Sequence, residues 1–244
     1  MIVIPMAGMS KRFAEAGYTV PKYMLPLSGE TLFDWSVRSF EAYFANEHFA
    51  FILRDTHGAK DFVQERLRRL GVQDYSLVLL DQNTGGQAET VQLGIDEMGV
   101  GEMEELFIFN IDTLRPRIKL QRREGSSGSL EVFRADGNNW SFIEPTQARS
   151  PWVKRCTEKV RISEYCCTGL YYFSQAGHFR QALADERQCR SAPELYVAPL
   201  FNHLIRRGLQ VDWYEVEANM VLLSGVPQEY TVLADLDIRA HFRV

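Results

Sequence analysis

With 244 residues, 45% of them hydrophobic, and a formal net charge of −5, the chain has enough apolar material to bury one substantial core. Its lysines and arginines are scattered rather than gathered into a stripe, which argues against polymeric nucleic acid as a partner. The apolar opening MIVI has no basic segment before it and meets Pro5, Lys11 and Arg12 at once, a pattern of neither a signal peptide nor a membrane span, so no membrane contact and a cytoplasmic location are expected.

From that opening, short β-rich runs alternate with helical patterns: MIVI, LFDWSVRSFEAYF, FAFIL, AKDFVQERLRRL, YSLVLLD, QAETVQLGIDEM and ELFIFNI. In the helix expected over 32–44, Phe33, Val37, Phe40 and Phe44 recur at spacings of four, three and four, which makes one apolar face. The strand runs are almost continuously hydrophobic, as a parallel sheet covered by helices on both faces requires. The first half therefore reads as a doubly wound α/β unit.

Beyond Asp112 the texture changes. REGSSGS and DGNN are rich in turn residues, and the strand-like runs SLEVFRA, WVKRCTEKV and CCTGLYYF follow one another with no helix between them, which predicts an antiparallel β addition to the sheet. Helices over SQAGHFRQALADE and PELYVAPLFNHLIRRG then lead to a strand at VDWYEVEA and a last helix starting near Pro227. No repeat or long linker interrupts the chain, so 1–244 is expected to be one domain. Cys156, Cys166, Cys167 and Cys189 form no C-x-x-C pair, and they read as reduced core cysteines.

In an open α/β sheet, ligands gather beyond the carboxyl ends of the strands, where AGMSKR stands. Ala7, Gly8, Met9 and Ser10 would let backbone N–H groups reach a phosphate or base, and Arg12 supplies a planar donor fork. A tight turn would use the same small residues. Lys22 sharpens the choice: lysine is scarce in this chain, and Lys22 follows Pro21, which holds the local backbone extended. A cation on the same flank as Arg12 suits the negative charge of a phosphoryl transition state.

The stretch AGMSKRF…PKYMLPL resembles the signature of the sugar-phosphate nucleotidyltransferases, NTP-dependent pyrophosphorylases with a Rossmann-like fold whose motif is A-G-x-G-[ST]-R followed by P-K. Arg12, Pro21 and Lys22 match that motif, while Ser10 replaces its second glycine and Lys11 its Ser or Thr. The resemblance implies catalytic roles for Arg12 and Lys22, and a nucleotide-binding half over 1–114 followed by an acceptor-binding half over 115–244. TGGQAETV is similar to the family's loop and helix over the base, so Gln82, Gly85, Gly86 and Glu89 join Ala7, Gly8, Met9 and Ser10 as nucleotide-binding candidates. FIFNIDTL puts Asp112 where the family holds its catalytic Mg2+, and TEKVRIS and CCTGLYYF resemble its acceptor-gripping segments, giving Glu158, Lys159, Thr168 and Gly169, with Glu194 further on. Taken singly, each has a plainer use. Asp112 could cap a turn, Glu158 and Lys159 could be an exposed strand pair, Thr168-Gly169 a bulge or close-packing point, and Glu194 with Tyr196 a helix start. Their order along the chain is what assembles them into one active site.

The family's closing motif, D-x-G-T-P-E-D-Y, is answered here by LLSGVPQEY: Gly225, Pro227 and Tyr230 match, but Leu223 stands where a metal-binding carboxylate is expected. Two alternatives follow: the ion rests on Asp112, the triphosphate and waters, or Glu215 or Glu217, on the preceding strand, replaces the carboxylate. The resemblance implies transfer of NMP from an NTP to a sugar phosphate or small phosphorylated alcohol with release of pyrophosphate. The spacing PMAG…RF…AGY…PK is closer to the capsule and surface-polysaccharide branch and to phosphocholine-type cytidylyltransferases, which favours CTP or UTP. Two other classes compete. A nucleotide-sugar-dependent glycosyltransferase would have no use for Arg12 and Pro21-Lys22 and would prefer a D-x-D pair, whereas a non-catalytic nucleotide-binding homologue would suit Leu223. A homo-oligomer is compatible with all three.

Overall fold

In the computed structural model, which describes residues 1–243, the apolar opening forms the fully buried strand β1 (Ile2–Pro5). A loop, the short helix α1 (Lys11–Glu15) and a hairpin of β2 (Pro26–Leu27) and β3 (Glu30–Thr31) follow. Helix α2 (Leu32–Arg38) starts where the Thr31 hydroxyl accepts from the Asp34 amide while the Asp34 carboxylate accepts from the Thr31 amide, a reciprocal cap. Strand β4 (Phe49–Leu53), helix α3 (Ala59–Leu70), strand β5 (Tyr75–Leu79), helix α4 (Gln87–Glu97) and strand β6 (Leu106–Phe109) complete the alternating half. The second half runs through β7 (Thr113–Leu114), β8 (Gly128–Arg134), β9 (Ser141–Pro145), β10 (Val153–Glu158) and β11 (Tyr165–Phe173). Then come α5 (Ala176–Gln188), α6 (Phe201–Arg206), β12 (Val211–Glu215), β13 (Leu222–Leu223), α7 (Pro227–Ala234) and α8 (Ile238–Phe242).

Nine strands make one sheet in the order β10-β9-β11-β6-β1-β4-β5, with β8 paired to β11 and β12 to β8. The run β6-β1-β4-β5 is parallel. Strand β11 is antiparallel to both β6 and β8, and β12 is parallel to β8. Only β10 and β11 therefore run against the rest of this sheet, so the β addition is one reversed strand plus the β9–β10 hairpin, and the direction of β6 resumes in β8 and β12. Alternate residues of β1 serve opposite faces: Val3 packs in the cluster under α4, α5 and α6, while Ile2 and Ile4 pack in the cluster under α2 and α3.

Two helices are shorter than their patterns suggest. The one expected over 32–44 ends at Arg38 and resumes as a 3-10 turn over Glu41–Tyr43. Buried Ser39 separates them, its hydroxyl donating to the Trp35 carbonyl at 3.3 Å and accepting the Arg115 amide at 2.9 Å. Phe33, Val37, Phe40 and Phe44 still share one core, so the apolar pattern reports the face and not the helix length. The stretch from Pro193 is irregular as far as the turn Ala198–Leu200, because Leu195 exchanges backbone hydrogen bonds with Gly85 and Ala88 instead of with its own helix. All four cysteines are free, and Cys166 and Cys167 face opposite sides of β11; Cys189, contrary to expectation, is exposed at the end of α5. Among the described residues no helix is long and apolar enough to cross a membrane.

Candidate active site

The parallel strands β1 and β6 end side by side, and the loops that leave them open into a cavity of about 820 Å³. Ala7, Gly8, Met9, Ser10 and Arg12 line one wall. The loop is tied at both ends: the Arg54 guanidinium donates to the Ala7 carbonyl at 3.1 Å, and Phe13 is buried among Leu25, Leu32, Trp35 and Leu114. Ser10 takes a left-handed backbone conformation, φ 49°, immediately before α1, and its hydroxyl accepts the Lys22 amide at 3.3 Å. Pro21 starts the 3-10 turn Lys22–Met24 with extended backbone, and buried Tyr23 anchors that turn, so Lys22 leaves a fixed base.

Its ammonium group donates to Asp112 Oδ2. Asp112 stands just past β6, and its backbone carbonyl accepts both the amide and the hydroxyl of Ser224, at 2.8 and 2.9 Å. Those contacts, with the pairing of Leu223 to Thr113 in β13 and β7, seat Leu223 on the cavity wall beside Asp112. Neither Glu215 nor Glu217 lines the cavity, and Glu215 instead pairs with Arg134 at 2.8 Å, so these two do not replace the missing carboxylate. Glu229 does line it, but its Oε2 accepts the Gly225 and Val226 amides at 2.7 and 3.2 Å and caps α7. Beside Lys22, Asp112 is thus the one carboxylate that could serve a metal ion here. That fits a magnesium ion completing its shell with phosphate oxygens and waters, and it does not fit an all-protein cage.

The loop before α4 also lines the cavity. Gly86 has φ 150°, and a Cβ there would fall 2.5 Å from the Leu195 amide nitrogen, so only glycine fits this approach. Gly85 and Gly86 line the cavity; Gln82 and Glu89 do not. Glu89 instead reaches back to the Gly85 amide and accepts from Arg187 at 2.9 Å, and these bonds hold its carboxyl below the usual range. It shapes the loop rather than facing the cavity.

The remaining candidates converge from the second half. Glu158 lies at the end of β10, nine-tenths buried, where it accepts from the Ser141 hydroxyl; burial raises its pKa. Lys159, with φ 56°, points its ammonium at the Tyr196 hydroxyl, 2.6 Å away, over that ring. Glu194 and Thr168 also line the cavity. Gly169 does not: it forms the register shift in β11, and a Cβ there would meet the Asn110 side chain at 2.7 Å. Beneath the floor, Thr168 donates to Glu131 Oε1 at 3.0 Å, and fully buried Glu131 pairs with Arg115 at 3.0 Å. The Thr168 carbonyl accepts the Thr113 hydroxyl at 3.0 Å, so this buried pair supports the turn that carries Asp112.

Several lining residues were not singled out from the sequence. Asn110 and Gln87 join across the cavity floor, and Trp140 and Arg190 line the far end. Asn110 directly follows an apolar strand, the same signal that marked Asp112. Nothing in the local sequence around Trp140 or Arg190 distinguishes them from turn residues. The segment carrying Arg190 and Glu194 is secured by buried Glu186, which accepts from both the amide and the hydroxyl of Ser191 at 2.6 Å.

No protein-family model and no curated protein matches the chain. Among solved structures it is similar to the nucleoside-diphosphate-sugar pyrophosphorylase from Vibrio cholerae RC9, at 44% identity over 97% of this chain and 100% of that one, with a TM-score of 0.91. The fold is shared at 16% identity with the inositol-1-phosphate CTP transferase from T. maritima, over 99% of this chain and 95% of that one, TM-score 0.74. A UDP-glucose pyrophosphorylase in complex with UDP-glucose has the same fold at 16% identity, over 96% of each chain, TM-score 0.72.

Proposed function

Because the chain belongs to the nucleoside-diphosphate-sugar pyrophosphorylase family, we propose that it transfers the nucleotidyl group of an NTP to a phosphorylated small molecule and releases pyrophosphate. An oxygen of the acceptor phosphate attacks the α-phosphorus, the bond from that phosphorus to the bridging oxygen breaks, and the electron pair leaves with pyrophosphate. The acceptor is already an anion, so no protein nucleophile is required. What the side chains contribute is alignment of two phosphates that repel each other, and neutralisation of the charge that shifts as the bond breaks.

In this reading Arg12 takes the β- and γ-phosphates, Lys22 the α-phosphate, and Lys159 the acceptor phosphate. Gly85 and Gly86 bring backbone up to the base, and Glu158 and Glu194 accept hydrogen bonds from the acceptor. Lys22 exchanges Asp112 for the triphosphate, whose several negative charges outcompete one carboxylate. Bound Mg2+ would supply further neutralisation at the phosphates, with Asp112 as its protein ligand. Residues 1–114 then serve the nucleotide and 115–244 the acceptor.

The observation that carries the proposal is the meeting of Lys22 and Asp112, 90 residues apart in sequence, in the same cavity as Arg12 and Lys159. CTP or UTP as the donor, and a place among enzymes that make surface-polysaccharide precursors, rest on the spacing of the first loop. The test is pyrophosphate release from each common NTP, with Mg2+, against a panel of sugar 1-phosphates and phosphorylated alcohols. Release with one pyrimidine NTP and one acceptor is expected. Silence across the panel, with NTP binding intact in a thermal-shift assay, replaces the transferase by a non-catalytic nucleotide binder.

A further inference from the structure

Resting on that reading, we infer that Glu186 is a positioning residue for the acceptor: through Ser191 it holds the stretch 190–194, and with it Arg190 and Glu194, in place at the cavity.

Glu186 stands in the last turn of α5 and is 2% exposed. Both settings disfavour a carboxylate, since burial strips its water and the end of a helix presents carbonyl oxygens of the same sign. Three donors from outside the helix offset this. Glu186 Oε1 accepts the Ser191 amide and hydroxyl, each at 2.6 Å, and Oε2 accepts from His203 Nε2 at 2.7 Å. Burial alone would push the Glu186 pKa up, but the bonds from Ser191 and His203 outweigh it and hold the pKa below the usual value, so the side chain works as an anion. His203, itself buried on α6, is fixed in turn. A guanidinium can only donate, so the Arg206 contact of 2.7 Å makes His203 Nδ1 the acceptor and leaves the ring proton on Nε2, aimed at Glu186.

The two oxygens of Glu186 have different tasks. The His203 bond joins α5 to α6, whose Phe179, Leu183, Phe201 and Leu204 already share one apolar cluster. The Ser191 bonds do what packing does not: Arg190, Ser191 and Glu194 are all exposed, so burial does not fix that stretch. It is mounted at two points instead. Glu186 holds it at Ser191, and buried Leu195 holds its far end through the backbone of Gly85 and Ala88. Arg190, Pro193 and Glu194, at or between these points, line the cavity. A glutamine at 186 cannot replace the carboxylate, because its amide group would turn a donor toward either Ser191 or the His203 ring proton.

Initial-rate kinetics and amide hydrogen exchange on the intact protein test this with three variants. Glu186→Gln should raise the acceptor KM about tenfold or more, the scale on which a small misplacement of binding groups is felt. Ser191→Ala, at an exposed position, should raise it several-fold and keeps the test open if Glu186→Gln does not fold. Ser191→Thr, which retains the hydroxyl, should restore it. The nucleotide KM should stay where it is, since Leu195 keeps its bonds to the base loop. Exchange of the Ser191 amide should quicken in the Gln and Ala variants and slow again in the Thr variant. An unchanged acceptor KM in both defective variants overturns the inference, as does an equal rise in the KM of both substrates, which would mean general loosening. A wild-type protein that releases no pyrophosphate defeats the transferase reading instead. Exchange then decides this one, and protection at Ser191 that is the same in wild type and both defective variants overturns it.

Discussion

Lys22 and Asp112 stand 90 residues apart in the chain and form an ion pair in the fold, because the loops that carry them leave neighbouring parallel strands at the same edge of the sheet. Replacing Lys22 with Ala removes the cation assigned to the α-phosphate. Pyrophosphate release should fall by on the order of 10²- to 10³-fold, the usual consequence of losing one electrostatic stabiliser. A partly exposed pair contributes about 1 kcal/mol or less to stability, so the denaturation midpoint should hardly move. Near-normal turnover in this variant would remove Lys22 from the chemistry.

Gly86 is the position where the least added volume should do the most damage. At φ 150°, a Cβ would fall 2.5 Å from the backbone nitrogen and 2.6 Å from the carbonyl oxygen of Leu195. Gly86→Ala should therefore push the loop and Leu195 apart, costing about 2 kcal/mol or more. Urea unfolding measures that loss, and the KM for the nucleotide should rise with it. A stable variant with an unchanged KM would mean that the loop does not contact the base.

Thr168 separates hydroxyl chemistry from packing. Thr168→Val preserves shape but removes the donor to Glu131 and the acceptor for the Leu170 amide. A buried acceptor left short of a partner costs about 1–3 kcal/mol, whereas Thr168→Ser keeps both bonds and should lie closer to wild type. Paired thermal melts of the two variants check the difference; a Ser variant as destabilised as the Val variant would mean that packing of the methyl counts as much as the hydroxyl's bonds.

Glu158 and Glu89 should tilt stability with pH in opposite senses. Burial raises the Glu158 pKa above its ordinary 4.5, so the folded form holds its proton to higher pH than the unfolded one and loses relative stability as pH climbs through the folded value. Glu158→Gln should abolish that loss and stabilise the protein at neutral pH, even as it weakens the acceptor. The Gly85 amide and Arg187 lower the Glu89 pKa, so its contribution is present above the unfolded pKa and disappears as pH falls through the folded one. Unfolding free energies of the two Gln variants, measured across the acidic range, should converge on or diverge from wild type accordingly.

The sequence made the alternating half legible because buried strands and amphipathic helices write themselves as apolar runs and periods. Helix ends were less legible: Ser39 stops α2 through a bond to Arg115, a partner far away in the chain. The direction of β12 was illegible for a similar reason, since no local signal says that its neighbour is β8 rather than β11. In the cavity, Arg12, Lys22 and Asp112, all on motif loops, come together on its lining. Glu89 and Gly169 share those motifs but turn away to hold the Gly85 amide and to admit the Asn110 side chain. A motif marks a segment, and only packing decides which of its side chains face inward.

The two backbone hydrogen bonds that Leu195 makes, its amide to the Gly85 carbonyl at 3.0 Å and its carbonyl from the Ala88 amide at 2.8 Å, splice the base loop to the segment carrying Glu194 and Tyr196. With the donor and acceptor sites proposed above, this splice should couple binding at the two. A nucleotide that orders the loop also orders the segment, and the factor by which it tightens acceptor binding must equal the factor by which the acceptor tightens nucleotide binding. Calorimetric titrations in both orders measure that reciprocity, and the coupling should vanish when the splice is broken at Gly86.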